Sequence, residues 1–216
     1  MTTNYLQSIN NVLKRLREDE VTSVNDNKYS KLIGVLINDA KREIEDAYNW
    51  NALTTNLNVV TAAGVQEYTL TGSGQRFVTY YVLNDTQNTT MCKATAQWID
   101  EQKYLSTQQN GAPHYYAYTG VSGSDNIVTV SPVPDTAYTL KFFLKVPQND
   151  LSLDADIIKV PAHLVEMLAY AKAVAERGED GGMSFSELYQ QYRLSLADAV
   201  ALEANRYEEE TMWNEV

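Results

Sequence analysis

Cysteine is nearly missing from this 216-residue chain. The single Cys92 permits no internal disulfide and no cysteine-based metal site. Histidine is almost as scarce: His114 falls in a Tyr-rich strand pattern and His163 in the first turn of a helix. Neither has a second histidine at metal-ligand spacing. No apolar run approaches the roughly 20 residues that span a bilayer, and the N-terminus has no basic-then-apolar leader. A soluble protein made in a cytoplasm, with no membrane partner, is therefore expected. A basic excess is absent too. The net charge of −11 argues against a general nucleic-acid binder, which needs a positive face to neutralise phosphates. There is no Gly-x-Ser-x-Gly elbow, no phosphate-cradling glycine loop and no His-Glu-x-x-His. No catalytic, cofactor or metal site is expected, and the chain reads as no enzyme.

What remains is ordinary globular composition, 44% hydrophobic and 21% charged, enough for one good core or two small ones. The acidity is uneven. Residues 161–216 hold four Lys/Arg against eleven Asp/Glu, whereas residues 1–50 hold seven against eight. That C-terminal excess fits a solvated helix face, or a wall that repels a polyanion.

Hydrophobic periodicity divides the chain. Leu6, Ile9, Leu13 and Leu16 predict an amphipathic helix over 4–17, whose last turn carries Lys14, Arg15 and Arg17 where cations complement the helix dipole. A longer helix is expected over 28–50, with Leu32, Ile33, Leu36, Ile37, Ala40 and Ile44 inward and Trp50 as a core plug. Its outer face is read as Asp39, Lys41, Arg42, Glu43, Glu45 and Asp46. From Leu53 the period falls to two. Residues 57–60 and 65–70 read as a hairpin about Ala63 and Gly64, and 77–83 and 91–95 as a second pair. A short helix over 97–106 follows, then strands through the Tyr-, Val- and Phe-rich stretch 111–147. Residues 151–160 read as an exposed connector. Asp150, just before it, and its Asp154 and Asp156 lack the glycine bend and closing Glu of a calcium loop. Pro161 is expected in the first turn of a helix that Gly178 ends, and Ser184 with Glu187 forms a capping box for the last helix. The fold class is thus α+β: a helical bundle built from the N- and C-terminal arms (1–52 and 161–206), an inserted antiparallel β-rich domain (53–160), and an acidic tail (207–216).

Two sets of residues point to partners. Adjacent tyrosines at Tyr80/Tyr81 and Tyr115/Tyr116 place rings on both faces of their strands, and tyrosine favours protein interfaces. They are candidates for an interface with another protein or subunit, although a glycan platform would use the same residues. In the tail, Tyr207, Met212 and Trp213 have nothing local to pack against, so Trp213 is a candidate anchor for a partner.

From Gly111 the chain also resembles a known family. Gly111, Pro113 and Tyr116 are followed by Ile127, Val130, Pro132, Pro134 and Asp135. Then come Tyr138, Leu140, Phe142, Phe143, Pro147, Leu153 and Asp156, leading into Val160, Pro161, Leu164, Leu168 and Tyr170. This pattern, with an opening helix pair ending at Trp50, resembles head-to-tail adaptors of short-tailed bacteriophages, of the tail tubular protein A type. The resemblance implies a non-enzymatic virion protein that forms a ring of twelve copies in the neck. The helical part docks on the portal protein, the β-part receives the tail nozzle protein, and DNA passes through the channel without sequence-specific binding. It also implies Tyr207, Met212 and Trp213 as the portal contact, and Tyr80, Tyr81, Tyr115 and Tyr116 as the nozzle or subunit contact. The alternatives are a glycan-binding β-module or another neck or tail-completion protein.

Overall fold

The computed structural model describes residues 3–104, 107, 109–178 and 183–206. They form a mixed α/β fold with five α-helices and a seven-stranded, nearly closed sheet. The chain divides into two compact units, Met1–Leu53 with Gln148–Val216, and Thr54–Pro147.

In the first unit, helix α1 (Tyr5–Arg15) begins at a reciprocal cap. The Asn4 side chain accepts from the Gln7 N–H at 2.8 Å, and Gln7 Oε1 accepts from the Asn4 N–H at 3.1 Å. Helix α2 (Lys28–Ala47) starts the same way on Asn27 and Ser30. It ends three residues short of the expected Trp50. The Trp50 indole N–H instead turns back to donate to the Ile44 carbonyl at 2.6 Å, satisfying one of the helix's last acceptors, and its ring is buried. The expectation for Pro161 shifts by one position: it is the N-cap of α4 (Ala162–Arg177) and not its first helical residue. Gly178 ends α4 in the left-handed region at φ 64°, a conformation glycine adopts without a Cβ penalty. Helix α5 (Met183–Arg206) begins before Ser184, so the expected capping box lies inside its first turn and does not start it. One apolar core takes in Ile9, Leu13, Ile33, Ile37, Ile44, Leu164, Leu168 and Tyr192, contributed by α1, α2, α4 and α5.

The second unit holds β1 (Thr54–Val60), β2 (Glu67–Leu70), β3 (Val78–Asn84), β4 (Thr89–Lys93), α3 (Ala96–Tyr104), β5 (Tyr115–Ser122), β6 (Asp125–Ser131) and β7 (Thr139–Lys145). Strand order is β1-β7-β3-β4-β5-β6-β2. The expected hairpin of the first two strands is not formed. β1 pairs with β7 and β2 with β6, placing the two at opposite edges of the order. They meet again where the sheet curls: Leu57 Cδ2 would lie 3.7 Å from a Cβ on Gly72. The β3–β4 hairpin is present. The sheet is not wholly antiparallel, because β4 and β5, joined through α3, pair parallel. Val82, Val128, Val130, Leu140, Phe142 and Leu144 fill the interior. β6 is buried on both faces toward its end, with the inward Val128 and Val130 alternating with Thr129, and α3 packs against β5 and β6.

Candidate interaction surfaces

The four strand tyrosines separate into two groups. Tyr80 and Tyr81 are both exposed, at 42% and 45%, although neighbours on a regular strand face opposite ways. A β-bulge explains this: Thr79 is opposite Leu144 and Tyr81 opposite Phe143, which leaves Tyr80 as the extra residue. Tyr81 stacks on Phe143 with centroids 4.3 Å apart, and Lys145 Nζ lies 4.6 Å from the Tyr80 ring centre. Tyr115 is exposed and leans on Trp98 of α3 at 4.8 Å. Tyr116 corrects the expectation. It is 4% exposed, packs edge-on to Tyr118 and Phe142, and burial raises its pKa to about 12, with Tyr118 and Cys92 adding to the shift. Strand parity sends this ring to the interior. Beside Trp98 and Tyr115 lies a groove of about 160 Å³ lined also by Gln66, Gln102, Gln109 and Ser131. Tyr207, Met212 and Trp213 lie outside the described residues.

The connector is no exposed strap. Leu151, Ile158 and Val160 are buried; Asp150 and Asp154 fasten this stretch to α2 and to the turn before it, and Asp156 closes a turn within it. Asp150 pairs with Arg42; Asp154 Oδ1 accepts from the Val24 N–H at 2.9 Å. Asp156 accepts the Ser152 and Leu153 N–H groups at 2.7 and 2.8 Å. Those two bonds, Leu153's first, hold its carboxyl below the usual carboxylate range. His114 and His163 are both exposed, and no group of three metal-ligating side chains gathers among the described residues.

Sequence reasoning placed Lys41 and Glu45 on the outer face of α2. They are instead fully buried, with Lys41 Nζ 3.4 Å from Glu45 Oε1. The ammonium also donates to the carbonyls of Gln148 (2.6 Å) and Asn149 (3.1 Å), while Glu45 Oε1 accepts the Gln148 N–H at 3.1 Å. Burial pulls the Lys41 pKa down, and Glu45 pushes it back up. The spacing held the signal: 41 continues 33 and 37, and 45 adjoins Ile44, on the same helical stripe. Glu166 of α4 was missed for the same reason. It is 6% exposed and gathers Ser8 Oγ (3.1 Å) and Asn11 Nδ2 (2.9 Å) from α1.

The unit that carries the helical core bears twelve basic and twenty-two acidic residues; the sheet unit bears five and six. No described helix is long and apolar enough to cross a membrane. Buried carboxylates and the buried lysine are spent on fastening the fold, while aromatic rings stand exposed on the sheet, an arrangement fit for contacts with other proteins. The chain belongs to the SU10 adaptor protein family, whose model matches residues 3–213. It is a phage head-to-tail adaptor with a structural role in the virion neck, where it contacts other neck proteins. No curated protein matches it.

Proposed function

We propose that the chain assembles as a ring of twelve copies between the portal protein and the tail nozzle protein, with the genome ejected through its channel. The observation that carries this reading is the family match over residues 3–213. The helices of the first unit form a bundle that docks on the portal, and the sheet unit receives the nozzle through Tyr80, Tyr81 and Tyr115. Trp213 is the portal anchor, with Tyr207 and Met212 in the same segment. The net charge of −11 supports passage of DNA without gripping it, because acidic walls repel phosphates. The role is structural, with neither turnover nor cofactor. Co-sedimentation with isolated portal rings tests it: the intact chain pellets with the rings, and deletion of 207–216 or Trp213→Ala weakens pelleting while the circular dichroism spectrum is unchanged. Equal pelleting of both variants would refute the anchor.

A second reading, a glycan-recognising sheet unit, is favoured by the uncharged groove at Trp98 and Tyr115 with its three glutamine neighbours. Titration with neutral oligosaccharides, followed by Trp98 fluorescence, tests it; an unchanged spectrum at millimolar sugar rejects it.

A further inference from the structure

The described part of the helical unit exposes five large apolar side chains, and they fall in two places. Leu194 and Leu202, 70% and 65% exposed, stand on α5. Ala197 and Ala201 join Leu194 at three- and four-residue spacing on the same outward side. α5 accordingly has little amphipathic bias, the pattern of a helix covered on more than one face. Val35 of α2 and Leu153 and Ile157 of the connector make the second place. Val35 lies one turn from Asn38, whose side chain ties down Leu151, so the connector runs beside this stretch of α2. The two places lie on different elements, and α4 packs against both α2 and α5.

Several charges border these patches, and some are already paired: Asp39, four residues after Val35, with Arg42, and Arg206, four after Leu202, with Glu203. Asp198, four residues after Leu194, and Lys31, four before Val35, are exposed and make no ion pair with another described residue. A head-to-tail contact between identical chains needs two different, mutually complementary patches on one molecule, whereas a two-fold contact needs only one.

We infer that the outward face of α5, around Leu194 and Asp198, packs against the Val35–Lys31 face of a second copy of this chain. The inference rests on the ring reading above and names the surfaces that close it. The small residues at 197 and 201 let the neighbouring helix approach closely, and Asp198 meets Lys31 at the rim. About 24 residues of helix run roughly 36 Å. A strip of that length about 10 Å wide, the diameter of a helix, covers roughly 350 Å² on each partner. That falls below the ~1,000 Å² total of a stable specific interface. The contact is therefore weak between free chains and forms when a docking platform aligns them.

Charge exchange tests this. Asp198→Lys and Lys31→Glu are made separately and together in the full chain, and ring-bearing necks are counted by electron microscopy of particles assembled with each variant. Both positions are exposed, so thermal unfolding should not change. Each single variant is expected to reduce ring-bearing necks by about fivefold or more, since like charges are then juxtaposed at every contact, and the double variant to restore them. Single variants that assemble as well as wild type, or a double variant that stays defective, would overturn the pairing while leaving the ring itself standing. Wild-type necks without a ring of this chain would remove the ring reading and this inference with it.

Discussion

Replacing Lys41 with methionine keeps an unbranched side chain of nearly the same length and deletes its charge. Lys41 and Glu45 both have fully buried side chains, 3.4 Å apart. At an effective dielectric near 20, unit charges at that separation attract by about 5 kcal/mol. Much of that is offset by desolvation in the intact pair, but removing one partner strands the other, and such losses run to about 3–5 kcal/mol. The Gln148 and Asn149 carbonyls lose their donor as well. Against a typical domain stability of about 5–15 kcal/mol this is a large fraction. With a urea dependence of about 1–1.5 kcal/mol per molar, the midpoint of the helical unit should fall by roughly 2–5 M. Buried Trp50 reports that unit, so unfolding is followed by its fluorescence with Trp98→Phe and Trp213→Phe in the background. Lys41→Met with Glu45→Met should recover at least about 1 kcal/mol, because a buried pair exchanged for apolar volume is often near neutral. A Lys41→Met midpoint within about 0.5 M of wild type would refute the buried clamp. A double variant weaker than the single would refute the coupling.

Three further outcomes follow from the packing. A Cβ at Gly34 would sit 2.5 Å from the Tyr5 hydroxyl, and that ring is buried, so Gly34→Ala should cost about 1–3 kcal/mol by urea unfolding and Tyr5→Phe should recover part of it. Tyr116→Ala should cost about 3–5 kcal/mol, whereas Tyr81→Ala should change stability by less than about 1 kcal/mol and act on nozzle binding; the same melts decide between core and surface roles. The Asp156 pKa lies below its unfolded value. Its stabilising contribution is therefore fully present above the unfolded pKa near 3.8 and is lost as pH falls through the lower folded one. Acid unfolding of Asp156→Asn should consequently show a shallower pH dependence in that range than wild type.

Where periodicity and local chemistry agree, the sequence was readable. The helix starting near Asn4, the stop at Gly178 and the β3–β4 hairpin all depend on residues a few positions apart. Strand partners did not follow, because β1 pairs with a strand some eighty residues away and only the closed sheet decides that choice. Local reading also assigned Lys41 and Glu45 to the surface by residue type and passed over Glu166, although each lies on an apolar stripe whose neighbours are buried. Among the candidate tyrosines, Tyr80 and Tyr81 are both exposed because of a bulge that leaves little trace in the sequence. At Tyr115 and Tyr116 ordinary alternation holds, and only Tyr115 reaches the surface.

Electron microscopy of intact virions carrying a density label on this chain tests the central claim most directly. The account predicts label in a closed ring between head and tail, coaxial with the DNA channel. Label at fibre tips or over the capsid surface, or particles that lack the chain, would contradict it.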